Sequence, residues 1–194
     1  MLCTFRLHAV AVLLAAFVAV LTLTSHAAQA QIKPFKITGE GVATEGLPLP
    51  GQPARPHWIV GNATHLGKHS GEGTVETDTA DFHPDGTITG EFGSGSPFVF
   101  VGADGDVLSC EYGRTEFGAS KPGTFLLAPL PEFGPGVYMA FFIAEFVPQP
   151  DQCTGKFAGV SGSWVMYAVS DPFVLGSTDP TGYSWEGNGS LTFK

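Results

Sequence analysis

The chain has 194 residues and a formal net charge of −9, from 9 lysines and arginines against 18 acidic residues. This acidic balance disfavours nucleic acids and anionic membranes as partners, because both carry the same sign of charge. The 26 glycines and 15 prolines, with almost no helical periodicity after residue 30, exclude a mainly helical fold.

Residues 1–30 differ in composition from the rest of the chain. An early cation, Arg6, precedes the apolar run 9–23, and the segment ends in the small-residue pattern Ala28-Gln29-Ala30. This is the pattern of a cleaved secretory signal peptide. The apolar run is shorter than the roughly 20 residues of a spanning helix. We therefore predict a secreted or periplasmic protein with no membrane span after cleavage.

The next segment, residues 31–57, is expected to contain a strand and a proline-rich arm. Four prolines lie within 43–57. A proline lacks the N–H that a central strand needs, so this stretch is predicted to form a loop or an arm that covers a sheet edge. Residues 58–194 are then expected to form the main β-barrel domain.

Alternating polar and apolar residues predict strands along the rest of the chain. The candidate strands are 35–41, 58–66, 71–79, 87–92, 97–102, 107–115, 123–128, 136–147, 163–170 and 183–193. Some of them are expected to be halves of one strand, which leaves about eight. Glycines inside the strands and a well-patterned last strand favour an all-β, closed antiparallel barrel over a sandwich.

The candidate strand 136–147 is apolar on both faces, since its odd and even positions are almost all hydrophobic. One face of a barrel strand points into the lumen, so the other face needs a cover. The cover is either the proline-rich arm or a second subunit. We favour the second subunit, which predicts a homo-oligomer, a dimer or a trimer.

Two cysteines, Cys110 and Cys153, remain after the predicted signal peptide, which contains Cys3. In an exported protein an isolated pair most simply forms a disulfide. A catalytic thiol would need a nearby histidine, and neither cysteine has one close in sequence. We therefore predict a Cys110–Cys153 disulfide.

The stretch "TGKFAGVSGSWVMYAV" has three closely spaced glycines around Phe157 and then an apolar strand. It resembles the glycine-rich segment of the allene oxide cyclase-like and dirigent-like β-barrels. The resemblance is clear over 155–170 and looser over 58–193, and segment 61–76 resembles exported bacterial proteins with the same late motif. The resemblance to this family implies an eight-stranded antiparallel barrel with a lumen, in a protein that often forms oligomers. None of the family's catalytic positions is matched here, so no residue role is carried over.

Three side chains are candidate acids or bases of the lumen, namely Glu111, Glu145 and His65. A carboxylate in an apolar wall is costly to bury and can serve in proton transfer. The alternatives are an ion pair with Arg114 or exposure near a strand end.

The candidate ligand contacts are Tyr112, Phe141 and Tyr167. His65 and His69 can meet across a turn, but a zinc site needs a third ligand at suitable spacing. No metal and no cofactor are therefore predicted.

The leading functional prediction is an exported barrel that binds a small hydrophobic ligand. The first alternative is an isomerase or cyclase acting on an apolar intermediate in the lumen. The second is a structural or interaction protein whose lumen is filled. A lumen packed with side chains favours the last interpretation, whereas an open cavity favours binding or catalysis.

Overall fold

A computed structural model describes residues 30–194. The predicted signal peptide lies outside the described residues. Within them, regular structure is almost entirely β-strand, with four three-residue 3-10 turns. Over the same residues, no helix has the length and apolar character needed to cross a membrane.

The eleven strands account for every segment predicted from the alternation. They are β1 Gln31–Ala43, β2 Arg55–Ala63, β3 Gly67–Thr77, β4 Asp81–Phe82, β5 Ile88–Gly102, β6 Val107–Tyr112, β7 Gly123–Pro129, β8 Val137–Pro148, β9 Ser161–Ser170, β10 Phe173–Val174 and β11 Thr181–Phe193.

These strands close into one barrel in which all neighbours are antiparallel. The wall runs β1-β2-β3-β5, continues through β6 and β7 to β8, and returns through β9 and β11 to β1. Strands β6 and β7 both pair with β5 and β8, at different heights, so together they fill one place in the wall. The barrel therefore has eight strand positions, which confirms the predicted fold class.

The lumen is filled over much of its length by aromatic side chains. Rings stack or meet edge to face at centroid distances of 4.7–6.4 Å. Aromatic members of this core include Phe35, Phe98, Phe100, Tyr112, Phe146, Trp164 and Trp185. Such rings bury a large apolar area, which supplies most of the free energy of folding.

Glycines inside the strands let neighbouring backbones approach each other closely. Gly39 and Gly61 are direct partners across β1 and β2. A Cβ at Gly61 would overlap the Thr38 carbonyl and lie 3.0 Å from the Gly39 Cα. The bent wall of the barrel therefore has no room for a side chain at this crossing.

The stretch 155–164 forms the tight entry to β9. Gly155–Phe157 is a 3-10 turn, and Gly155 and Gly159 have the positive φ angles of 61° and 68° that favour glycine. Phe157 is fully buried and packs on Phe193 of β11, with ring centroids 5.6 Å apart. The glycines thus turn the chain while Phe157 anchors the corner in the core.

The predicted disulfide is not present in the structure. Cys110 and Cys153 are both buried free thiols. Cys110 shares its strand face with Leu108 and Tyr112 in the core, whereas the Cys153 Sγ lies beside the backbone of Ser109, 3.4 Å from its nitrogen. Burial is the main cause that raises the pKa of both thiols. The corner is therefore held against β6 by packing and by the hydrogen bond from Thr154 N–H to the Val107 carbonyl.

Replacing Gly61 by alanine tests the close approach of β1 and β2. The Gly61→Ala variant is expected to lose about 1–3 kcal/mol of unfolding free energy, because the added methyl group overlaps rigid backbone. In Gly182→Ala the methyl group would meet only the movable carboxylate of Asp171, so a change within about 0.5 kcal/mol is expected. Urea unfolding measures both, and equal losses would contradict this explanation.

Candidate functional site

An apolar cavity of about 80 Å³ lies in the lumen at one end of the barrel. The register brings strand ends together here, because Ala43 at the end of β1 pairs with both His57 in β2 and Thr181 in β11. The walls are mainly apolar, with Ala140, Phe142, Met166 and Ala168 among the lining residues. We call this space the mouth cavity.

Two segments outside the barrel wall cover the mouth cavity. Gly46 and Leu47 of the proline-rich arm and Phe173 of β10 are among its lining residues. Leu47 and Phe173 are partly buried against the core. The arm is therefore a cover for the lumen.

A chain of hydrogen bonds crosses the lumen beside the mouth cavity. His57 Nδ1 lies 2.9 Å from Tyr183 Oη, and His57 Nε2 lies 3.0 Å from Tyr112 Oη. Tyr112 donates its proton to the Thr74 carbonyl at 2.9 Å. The chain links four strands, β11, β2, β6 and β3, and its three side chains all line the cavity.

Burial keeps the groups of this chain neutral. It lowers the pKa of His57 to about 4, so the imidazole is uncharged at neutral pH. Burial also raises the pKa of Tyr183, and burial followed by the neighbouring Tyr183 raises that of Tyr112. Among the residues of 30–194 that line the cavity, none carries a charge at pH 7.

A second, smaller cavity of about 30 Å³ lies deeper in the lumen. His57, Met166 and Tyr183 line both spaces, and aromatic rings such as Phe98 and Trp185 line the deeper one. His57 and Tyr183 thus lie between the mouth cavity and the inner part of the lumen, which is nearly filled by side chains.

The three predicted ligand contacts lie on opposite faces of the wall. Tyr112 points into the lumen and lines the mouth cavity. Phe141 and Tyr167 lie on the outer face, where they are 41 % and 48 % exposed. The structure therefore brings Tyr112 to the cavity and keeps Phe141 and Tyr167 away from it.

The two predicted lumen acids also lie on the outer face of the wall. Glu145 accepts hydrogen bonds from Ser120 N–H and Ser163 Oγ, both at 2.6 Å. Burial alone raises the pKa of Glu145, but these hydrogen bonds outweigh it, so the pKa is lowered and the group is ionised at neutral pH. Glu111, on the face opposite Tyr112, is buried and accepts a hydrogen bond from Ser94 Oγ.

The remaining sequence-predicted groups are not among the residues that line the mouth cavity. His65 is an exposed turn residue whose Nε2 lies 3.2 Å from the Pro34 carbonyl. Arg114 pairs with Glu76 and Asp78 at 2.9 and 2.7 Å, and with neither Glu111 nor Glu145. In the part of the chain that the structure describes, no cluster of three or more metal-ligating side chains occurs.

The outer face of β7, β8 and β9 is apolar and exposed. Its members are 37–48 % exposed and lie side by side in the register: Leu126, Phe141, Ile143, Tyr167 and Val169. The single chain leaves this face exposed, so its cover by a second subunit stays a prediction. The proline-rich arm, which was the alternative cover for this face, lines the mouth cavity through Gly46 and Leu47.

Sequence reasoning missed His57, Ser170 and Tyr183 as cavity residues. The predicted boundary at residue 57 places His57 in the arm, although it shares parity with the inward-facing Ile59 of β2. Ser170 and Tyr183 are Cα partners across β9 and β11. This pairing depends on the register between two strands and cannot be read from local alternation.

No family model matches this chain, and comparison with curated proteins and with solved structures gives no match either. The resemblance to the allene oxide cyclase-like and dirigent-like barrels therefore stays a prediction that rests on the glycine-rich segment.

The buried neutral His57 predicts a loss of stability in acid. Between pH 6.5 and 4 the unfolded chain binds a proton at this residue and the folded chain does not. The contribution of neutral His57 to the free energy of unfolding is therefore fully present above pH 6.5. As the pH drops toward 4, the free energy of unfolding falls by about 3 kcal/mol. The His57→Gln variant should lose this part of the pH dependence.

Urea unfolding at several pH values measures this contribution. The matched control is His65→Gln, which removes an exposed histidine and should keep the wild-type slope of stability against pH. Identical slopes for wild type and His57→Gln would contradict the assignment of a buried neutral imidazole.

Proposed function

We propose that this protein is exported and binds a small, neutral, mainly apolar molecule in the mouth cavity. The observation that carries the proposal is a largely apolar space inside the barrel, covered by Leu47 and Phe173 and bordered by one hydrogen-bond chain. Concave apolar sites with a few convergent polar groups are the usual form of small-molecule sites. Export rests on the composition of residues 1–30.

The volume limits the size of the ligand. A buried water needs roughly 10–15 Å³ of such space, so the cavity has room for roughly five to eight non-hydrogen atoms. A ligand of one ring or a short branched chain fits this limit. A larger molecule would need Leu47 or Phe173 to move aside.

The lining also limits the charge of the ligand. A charged group would lose its hydration on entry and would find no opposite charge among the lining residues at neutral pH. Neutral molecules avoid this cost. The apolar walls formed by Phe142, Met166 and Ala168 then favour hydrocarbon over water.

The protonation of the site favours binding over acid–base catalysis. A general acid or base works best when its pKa lies near the operating pH. Here the pKa of His57 is lowered to about 4, and those of both tyrosines are raised. The hydrogen-bond chain ends at a backbone carbonyl, which cannot take up a proton at neutral pH. The proposed role is therefore that of a binding protein.

Titration with a small apolar ligand, combined with a variant whose side chain fills the cavity, tests the proposal. Titration with toluene, followed by NMR of the cavity methyl groups, should show saturable binding in about the millimolar range expected for so small a ligand. The Ala168→Leu variant puts extra carbon atoms into the cavity and should weaken binding at least tenfold. In Ala103→Leu the same change lies on an exposed turn, so binding should persist.

Two results would overturn the proposal. One is the absence of any saturable shift in the wild-type protein. The other is equal toluene binding by wild type and Ala168→Leu, because the ligand would then lie elsewhere. Native mass spectrometry of the protein purified from its host provides an independent search for a bound molecule.

A further inference from the structure

Two covers lie over the mouth cavity, and the first of them is tied firmly to the barrel. It is the loop 171–180, which joins β9 to β11 and contributes Phe173 to the lining. Within this loop β10 pairs with β8. Leu175 N–H donates to the Gly136 carbonyl at 2.9 Å, and Asp171 N–H donates to the Gly182 carbonyl at 2.8 Å. Backbone hydrogen bonds therefore hold this cover on the wall at three places.

The second cover is the proline-rich arm, which joins β1 to β2 and is tied far more loosely. We call its residues 46–52 the lid. The lid lines the cavity with Gly46 and Leu47, and its Pro48 is fully buried. Within the part of the chain that the structure describes, one hydrogen bond joins the lid to the barrel, and it runs between side chains. Apolar packing of Leu47 and Pro48 therefore provides most of what holds the lid closed.

The outer end of the lid is a preformed turn. In the stretch 49–52, Leu-Pro-Gly-Gln, Gln52 N–H donates to the Leu49 carbonyl at 3.0 Å, and Gly51 has a φ angle of 79°. Proline at the second position and a glycine with positive φ at the third are typical of a type II turn. Gln52 Oε1 also accepts from Leu49 N–H at 3.0 Å. We therefore expect the turn to move as one piece.

Arg55, the first residue of β2, supplies the hydrogen bond between lid and barrel. Its Nη2 donates to Gln52 Oε1 at 3.0 Å, while its Nη1 donates to the Glu45 carbonyl just before the lid. Arg55 does not line the mouth cavity. Lifting the lid would break the bond from Arg55 to Gln52 and would expose Leu47, but it would leave every backbone hydrogen bond of the sheet in place.

We infer that the lid is the gate of the mouth cavity, and that Arg55 holds this gate closed. A ligand then enters and leaves when residues 46–52 lift from the barrel. Of the two covers, the lid breaks fewer hydrogen bonds on opening, and the less stable segment is the one that opens more readily. This inference rests on the proposed function and adds the route and the control of ligand exchange.

Arg55→Ala tests the gate, because it removes the bond to the lid without changing a lining residue. It favours the open form, so the association and dissociation rates of toluene should both rise about three- to tenfold, the usual effect of one net hydrogen bond. The dissociation constant should stay nearly unchanged, because both rates rise together. Line-shape analysis of the NMR titration measures the two rates. Gln52→Ala removes the acceptor of the same bond and serves as the second variant if Arg55→Ala fails to fold.

Asp179→Ala is the matched control on the other cover. Asp179 accepts a hydrogen bond from Ser177 Oγ at 2.8 Å within the loop 171–180, and it does not line the mouth cavity. The control therefore removes a side-chain tie from the loop, as Arg55→Ala removes one from the lid. Both toluene rates should stay at their wild-type values.

The outcomes separate the gate from the proposed function. If toluene does not bind to wild type, the proposed function is wrong and this inference falls with it. If toluene binds but Arg55→Ala leaves both rates unchanged, or Asp179→Ala raises them as much, the gate is assigned wrongly and the binding function stands. A rise in the dissociation rate alone would also overturn the gate, because Arg55 would then stabilise the bound state rather than limit entry.

Discussion

The hydrogen-bond chain from Tyr183 through His57 and Tyr112 to the Thr74 carbonyl is the constraint on which the site depends. It places four polar groups in a lumen otherwise filled with aromatic rings. Such groups are tolerated only when each has a partner, because an unpaired buried polar group costs about 1–3 kcal/mol. The chain meets this condition when His57 is neutral.

The same hydrogen-bond chain connects groups from four different strands of the barrel. Tyr183, His57, Tyr112 and Thr74 belong to β11, β2, β6 and β3, so the chain spans half of the wall. Close backbone contacts, such as that between Gly39 and Gly61, allow the wall to curve enough for these side chains to meet. The mouth cavity is the space that remains between the side chains filling the inner lumen and the proline-rich arm. A ligand in this space would contact mainly apolar carbon.

Much of the fold could be predicted from alternation, because a half-buried strand shows its two faces in the sequence. The prediction that candidate strands merge is also correct, since 87–92 and 97–102 are two halves of β5. The stretch between them, 93–96, is Gly-Ser-Gly-Ser, and with Pro97 directly after it this part of the chain resembles a loop. It stays within the strand because the pairing of β3 and β5 shifts register between Glu72 and Val75, and proline is tolerated at such bulges.

The site was harder to predict, for two physical reasons. Where both faces of a strand are apolar, the sequence does not show which one points inward, and Glu145 and Phe141 lie on the outer face of β8. The site also depends on register between strands that are distant in sequence. His57 and Tyr183 meet because Ala43 pairs with His57 and Gly41 pairs with Tyr183. Neither pairing follows from local patterns.

The most direct test of this account is the protonation of the His57 ring. Nitrogen-15 NMR of the imidazole at neutral pH distinguishes the two neutral tautomers from the charged form. The account predicts a neutral ring with its proton on Nε2, donated to Tyr112, and an unprotonated Nδ1 that accepts from Tyr183. A charged ring, or a proton on Nδ1, would contradict it, because Tyr112 donates its only proton to the Thr74 carbonyl and must therefore accept from His57 Nε2–H.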